Sequence, residues 1–259
     1  IYDKIDWKPH PVIYIDFSHI SFQTPQTLEM ELDIKLEKIA KTFNIELDQR
    51  RDYQGKFEEL IEKISGKERA VVLIDEYDKP IISFIETDEI EIAKANRKVL
   101  KKFYSALKGS DRHLHFVFIT GVSKFSRMSI FSELNNLNDM TIDENFSMLL
   151  GITHDELLEY FNDRIDLLSK KMKMSRKDFL GHVKQWYNGY SWDGRHFLYN
   201  PHSILNFFSK HHFGNYWFAS GTPTFLINFI KNKNRSIASF EREEVDQSTF
   251  ETYDIENLG

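Results

Sequence analysis

An open α/β fold with a mainly parallel sheet, followed by a separate α-helical module, is the class that this sequence predicts. Three observations predict it. Short apolar runs rich in β-branched residues occur at Pro11–Ser18, Ala70–Glu76 and Leu114–Thr120, and each has the length and composition of a buried parallel strand. Stretches with helical spacing separate these runs, which is the alternation that right-handed βαβ units produce. From Thr153 onward the apolar residues fall only at helical spacing and are rich in aromatics.

Taken in order, the first run ends in polar residues at Asp16 and Ser18. Thr24-Pro25 then supplies an N-cap with proline at the first helical position. Leu28, Leu32, Leu36, Ile39, Ala40 and Phe43 make the stripe of a helix that returns across the sheet. Phe57, Leu60, Ile61 and Ile64 mark a second, shorter helix, broken at Ser65-Gly66. The strand Ala70–Glu76 follows and Pro80 stops it. Ala93, Leu100, Phe103 and Leu107 lie on a third helix that ends at Gly109, before the strand Leu114–Thr120 and Gly121.

In the second half, Thr153-His154-Asp155-Glu156 is a capping box. The stripe Leu157, Phe161, Ile165, Leu168 and Met172 continues from it as one helix. Ser175 with Asp178 caps a helix through Trp186 and Tyr187, and Asn188-Gly189 and Asp193-Gly194 read as turns. Pro201 opens a helix through Leu205 and Phe208, and Thr222-Pro223 opens the last. Residues 236–259 are polar and acidic with weak periodicity.

Composition narrows the chemistry. A hydrophobic content of 41% with 14% aromatics over 259 residues is ample for a packed core. The formal net charge of −6 argues against a dedicated nucleic-acid coat. With no cysteine, disulfides, zinc–thiolate sites and thiol catalysis are ruled out. There is no signal-peptide pattern at Ile1–Trp7, and no apolar run approaches the roughly 18 residues that a bilayer span needs. The expectation is a cytoplasmic protein with no membrane partner. The chain opens abruptly, as if a segment preceded Ile1.

The chemistry concentrates at the strand ends. Asp75 and Glu76 close the run Val71-Val72-Leu73-Ile74, where the carboxyl ends of parallel strands form a ligand crevice. In P-loop ATPases that position is the Walker B element, whose first acid holds Mg²⁺ and whose second activates water; a solvated acidic turn is the alternative. Thr120 ends the third run, at a place suited to sensing a γ-phosphate or holding the attacking water, or simply to capping the turn. Lys124 and Arg127 follow it and offer charge stabilisation, with solvated loop cations as the alternative. The amide-rich run Asn135-Asn136-Leu137-Asn138-Asp139 reads as a polar ligand site or as Asx turns.

Other chemistries find less support. A phosphate-binding loop needs G-x-x-x-x-G-K-[ST] after a strand, and neither Gly55-Lys56-Phe57 nor Gly66-Lys67-Glu68 fits. The ten histidines form no ligand set; His113 and His115 are expected on one strand face. There is no G-x-S-x-G elbow, and Asp33-Ile34-Lys35 lies within a helix rather than on a nuclease strand. Two basic clusters, Lys170, Lys171, Lys173, Arg176 with Lys177, and Lys231, Lys233 with Arg235, offer contacts to phosphates of DNA or RNA or are solvated helix ends.

Val71-Val72-Leu73-Ile74-Asp75-Glu76-Tyr77-Asp78-Lys79-Pro80, Phe116 through Ser126, and Ile130 through Asp139 together resemble the bacterial AAA-ATPase-like family. So do Trp186-Tyr187-Asn188-Gly189-Tyr190, Tyr199-Asn200-Pro201 and the stretch from Gly214 to Leu226. The resemblance spans nearly the whole chain in order. It implies a P-loop NTPase fold of AAA-like type with a C-terminal helical lid. It also implies an upstream phosphate-binding loop and often a PD-(D/E)XK nuclease-like domain downstream, both outside this chain. On that reading residues 1–150 are the ATPase core without its phosphate-loop segment, 151–235 the lid, and 236–259 a tail or the start of a further domain.

The resemblance further implies ATP and Mg²⁺ as ligands. Asp75 would hold the metal, Glu76 would be the base, Thr120 the sensor, and Lys124 and Arg127 the charge stabilisers. Gly221-Thr222-Pro223 resembles a lid motif close to the nucleotide base. MgATP turnover coupled to lid movement is the expected activity, and a homo-oligomer the expected assembly. Two alternatives remain: a degenerate nucleotide switch serving an attached nuclease-like domain, and a nucleotide-independent protein- or DNA-interaction module.

Overall fold

The computed structural model describes residues 8–85, 88–121, 130, 137–141 and 143–216. Lys124, Arg127, Gly221, Thr222, Pro223 and the cluster Lys231, Lys233 and Arg235 lie outside the described residues, as does the helix expected after Thr222. Two compact units divide between Leu137 and Asn138.

The first unit is built on a three-stranded parallel sheet. Strand β1 (Val12–Asp16) pairs with β2 (Ala70–Asp75), which pairs with β3 (Leu114–Ile119), giving the order β1-β2-β3. Between β1 and β2 the chain forms helices α1 (Pro25–Thr42) and α2 (Tyr53–Ile64). The first is capped by Thr24, whose side chain accepts from the Thr27 amide, with proline in its first turn. The second is capped by Asp52, which accepts from the Gly55 amide. Between β2 and β3 lie the short α3 (Lys79–Ile82) and the long α4 (Ile90–Gly109). Pro80 therefore starts a helical turn rather than merely ending the strand, since its missing N–H is harmless there. The β2 strand also stops one residue earlier than the apolar run suggests, because Glu76 turns into the left-handed region.

Alternation along the strands decides which face is packed. Ile13, Ile15, Val72 and Ile74 are at most 2% exposed and join one core with Leu28, Leu32 and Leu36 of α1, Phe57 and Leu60 of α2, and Leu100 and Phe103 of α4. Phe57 and Phe103 stack at 4.5 Å and so join α2 to α4. The opposite face carries Val12, Tyr14 and Phe116, which are 43, 48 and 52% exposed. Parallel sheets are normally covered on both faces; among the described residues this one is covered on one.

Register aligns the strand tips. Asp16 stands opposite Asp75, and Ile74 opposite Ile119. A shift between Ala70 and Val71 leaves His115 out of the pairing with β2. His115 stacks instead on His10 at 3.9 Å, while His113 lies in a 3-10 turn and meets Ser65 Oγ at 2.8 Å. The two histidines are therefore not partners on one strand face.

The second unit holds α5 (His154–Tyr160), α6 (Asn162–Lys171), α7 (Arg176–Tyr187), strands β4 (Asn188–Tyr190) and β5 (Leu198–Tyr199), and α8 (Pro201–Lys210). The capping box at Thr153 forms in both directions with Glu156. The helix expected from Leu157 to Met172 is two helices: the chain breaks at Phe161, whose backbone (φ −115°, ψ 11°) is not helical. The stripe nevertheless serves a single core, because Leu157, Ile165 and Leu168 all pack with Phe179, Val183 and Phe207. Asn188-Gly189, expected as a turn, instead begins β4, which pairs antiparallel with β5. Asp193 does build a turn, accepting from the Arg195 and His196 amides at 2.9 and 2.8 Å, with Gly194 at φ +71°.

Candidate functional site

Three polar side chains meet at the carboxyl ends of the sheet because each strand runs out of apolar residues at the same level. In parallel pairing Asp16, Asp75 and Thr120 project toward the face that carries Tyr14 and Phe116. Thr120 is tied to β2 through its backbone, donating its N–H to Ile74 O at 2.9 Å and accepting from the Tyr77 N–H at 3.0 Å. Its hydroxyl donates to Asp75 Oδ1 at 2.5 Å. The Glu76 amide donates to the same oxygen at 3.0 Å. One oxygen of Asp75 is thus held in place by two donors, and among the described residues Oδ2 has no partner.

Glu76 diverges from Asp75. Its backbone takes φ +51°, and its carboxylate oxygen Oε2 accepts from Lys79 Nζ at 2.7 Å. Neighbouring acids therefore face different partners, which spares them a direct clash of like charge.

The turn after Glu76 is fixed from below. Tyr77 and Asp78 are 7% and 0% exposed, so these two residues of the polar run are core residues of the turn. They pack against Gly121, where an added Cβ would lie 2.5 Å from the Tyr77 ring and 2.8 Å from Asp78 Oδ1. Only a residue without a side chain lets the tip of β3 approach so closely. Burial drives the phenol of the fully buried Tyr104 far up, and Tyr77 and Asp78 add to that effect. Asn96 of α4 donates from Nδ2 to Pro80 O and to Phe22 O, both at 2.9 Å, and so pins the start of α3.

Asp16 joins Asp75 from the neighbouring strand. It accepts from the Ser18 amide at 2.8 Å and its Oδ2 lies 2.8 Å from His19 Nδ1. Burial pushes the Asp16 carboxyl up, but the hydrogen bonds from Ser18 and His19 outweigh it, and the net direction is down. Tyr14, two residues earlier on the same face, has its phenol pushed up first by desolvation and then by the charges of Asp16, Asp75 and Glu76. Polar residues at the end of the first run were visible in the sequence; that one of them stands beside Asp75 is a property of the strand register.

The donor set bears on which ligands fit. Among the described residues no group of three or more His, Asp or Glu side chains is arranged to hold a metal. A Ca²⁺- or Zn²⁺-type cage of protein ligands is thus not formed there. Mg²⁺ asks for less: one or two carboxylates complete its shell together with phosphates and waters. A carboxylate with one oxygen anchored and the other unengaged, as at Asp75, suits that requirement. A phosphate cradle is not formed by either Gly-Lys pair. Lys56 lies within α2, 3% exposed, with its ammonium 2.9 Å from Asp33 and 3.0 Å from Glu37. Gly66-Lys67 lies in the turn before β2.

Of the remaining sequence candidates, Asn135 and Asn136 lie outside the described residues. Asp33 of the Asp33-Ile34-Lys35 triplet, on α1, is committed to Lys56 of α2. In the basic cluster of the second unit, Arg176 is engaged by Asp166 and by Asn162 Oδ1, and Lys171 Nζ lies 3.3 Å from His211 Nδ1. Among the described residues no helix is long and apolar enough to cross a membrane.

Comparison with known proteins adds the following. Residues 3–131 match a family model, AAA-ATPase-like, described as "Predicted AAA-ATPase". A protein of Azotobacter chroococcum mcd 1, described as an uncharacterized protein in the vnfD 5′ region, is 34% identical over 261 residues. That similarity covers 100% of this chain and 48% of the relative, so the chain spans about half the length of the curated protein it matches. No solved structure matches the chain.

Proposed function

Because the chain belongs, through residues 3–131, to the predicted AAA-ATPase family, we propose that its first unit binds and hydrolyses MgATP at the carboxyl ends of β2 and β3. The observation that supports this best is the Asp75–Thr120 pair at adjacent strand tips, with Glu76 immediately beside it. Asp75 would hold Mg²⁺ through its unengaged oxygen, directly or through water, while Thr120 keeps the carboxylate oriented. The metal would neutralise charge on the phosphates. Glu76 would accept the proton of the attacking water or orient that water. Lys124 and Arg127, just beyond Gly121 in the chain, are proposed to stabilise phosphoryl charge, and Gly221, Thr222 and Pro223 to lie near the base. Residues 1–150 would form the core, 151–235 a helical lid that moves with turnover, and 236–259 a tail or the entry to another domain.

The test has two stages. Calorimetry with MgATP at physiological salt asks whether this chain alone completes a nucleotide site. In the full gene product, Glu76→Gln should keep MgATP binding and lose about 100-fold or more in hydrolysis, as expected when a positioned base is removed. Unchanged turnover would sink the assignment of Glu76. A second reading is a nucleotide switch that binds without appreciable hydrolysis, and the engagement of Glu76 Oε2 by Lys79 Nζ supports it. It predicts MgATP retention with no difference in turnover between Glu76→Gln and wild type. Contact with DNA through Lys170, Lys171, Lys173 and Lys177 is a subsidiary proposal, and it requires an affinity that falls steeply with salt.

A further inference from the structure

Four residues other than glycine have positive φ among the described residues: Asn44, Glu76, Lys173 and His211. Three of them terminate helices. Asn44 follows α1, Lys173 follows α6, and His211 is the C-cap of α8, where a left-handed residue is an ordinary way to end a helix. Glu76 follows a strand, so no helix end accounts for its conformation. A side chain held in the left-handed region persists where its surroundings over-determine it, and four contacts do so here. The Glu76 N–H donates to Asp75 Oδ1 at 3.0 Å. The Glu76 C=O accepts from the Lys79 N–H at 3.1 Å, and the Tyr77 N–H is taken by Thr120 O at 3.0 Å. Lys79 Nζ donates to Glu76 Oε2 at 2.7 Å.

Of these four, only the last acts on the carboxylate itself. Lys79 can serve as a fixed point because its backbone opens α3, and the next carbonyl, Pro80 O, is held by Asn96. The pair leaves Glu76 Oε1 without a partner among the described residues, so one oxygen is anchored and the other is presented outward. Asp75 shows the same division, with Thr120 as its anchor.

We propose that Lys79 is the positioning residue of Glu76, anchoring one carboxylate oxygen so that the other is presented to the attacking water, an inference that rests on the reading of Glu76 as the base. Lys79 is not thereby a ligand of phosphate: its ammonium is already committed. Lys79 thereby aims the carboxylate, a role separate from that of the buried Tyr77 and Asp78, which lie between it and Glu76.

The experiment is a double-mutant cycle on the full gene product, with single-turnover hydrolysis and MgATP affinity by calorimetry read in parallel. Lys79→Met is expected to lower the hydrolysis rate about 10- to 100-fold, the range for a misplaced reacting group, with MgATP affinity and KM unchanged. Lys79→Arg should recover most of the loss, since it restores a donor to the same oxygen. In a Glu76→Gln background, Lys79→Met should produce no further loss, because a residue that acts only through Glu76 has nothing left to position. A tenfold loss of MgATP affinity in Lys79→Met would overturn the proposal and make Lys79 a phosphate ligand. An additive loss in the double variant would overturn it in favour of a general structural role, as would failure of Lys79→Arg to rescue. Wild-type hydrolysis in Lys79→Met, with hydrolysis still abolished by Glu76→Gln, overturns the positioning role and leaves the base standing. If Glu76→Gln itself hydrolyses normally, it is the underlying reading of the site that fails.

Discussion

Gly121 and Thr120 show how much one side chain decides at the tip of β3. At Gly121 a methyl group would collide with the Tyr77 ring and with Asp78, both buried and unable to swing away. Gly121→Ala should therefore destabilise the first unit by about 1–3 kcal/mol, the usual range for overpacking, read as a lower urea midpoint with unchanged m-value. Thr120→Val keeps the shape and removes the hydroxyl that anchors Asp75. If Asp75 holds Mg²⁺, MgATP hydrolysis should fall about 10- to 100-fold, as when a partner that orients a metal ligand is lost. A Thr120→Val protein with wild-type hydrolysis and unchanged Mg²⁺ dependence would disconnect this hydroxyl from the chemistry. Asp75, Glu76 and Thr120 were legible because each ends an apolar run. The surroundings of Asp16 and Lys79 were not, since a neighbouring strand brings Asp75 beside the one and a turned-back carboxylate meets the other.

Helix ends were the most readable elements. Thr24, Thr153, Ser175 and Asn200 all accept from a backbone amide at the start of the helix they precede, as short polar side chains do at N-caps. Thr153→Ala should cost about 1 kcal/mol, measurable as faster amide exchange through α5. The break between α5 and α6 was not readable, since Leu157, Ile165 and Leu168 keep helical spacing across it. The β4–β5 pair was hidden because its strands have three and two residues, too short for a period to show. Between α1 and α2, Lys56 is held by Asp33 and Glu37. Burial lowers the affinity of Lys56 for its proton, but the two carboxylates outweigh this and the net direction is up. Burial likewise raises Glu37, while hydrogen bonds from Gln49 and Lys56 and the charge of Lys56 bring it down overall. The lysine contribution is complete below the ordinary lysine value and fades only as pH rises through the raised one. The Glu37 contribution is present above the ordinary glutamate value and is lost as pH falls through the lowered one. Lys56→Met should cost about 2 kcal/mol at pH 7, less than a fully buried pair because both acids are partly solvated. Its urea midpoint should also fall less steeply than wild type as the pH drops below about 4.5.

At the scale of the molecule, the described residues form two hydrophobic cores with no shared member: one runs from Ile13 to Ile130, the other from Leu157 to Tyr216. Separate cores of this kind predict two unfolding transitions rather than one. Native-state amide exchange should show it: Leu36→Ala ought to speed exchange in α1, α2 and α4 and leave α7 and α8 untouched, and acceleration in both units would merge them into one. The sequence alone determined the parallel α/β class of the first half, the helical character of the second, the absence of thiol chemistry, and the acids at the end of the second apolar run. These follow from local rules, in which spacing, capping and the point where an apolar run stops act within a dozen residues. Only the tertiary structure decided that Asp16 stands beside Asp75, that Thr120 holds one oxygen of that acid, and that Gly121 is required by Tyr77. It also decided that a single face of the sheet is covered among the described residues. Each of these depends on strand order and register, which bring together groups dozens of residues apart, and no local period records them.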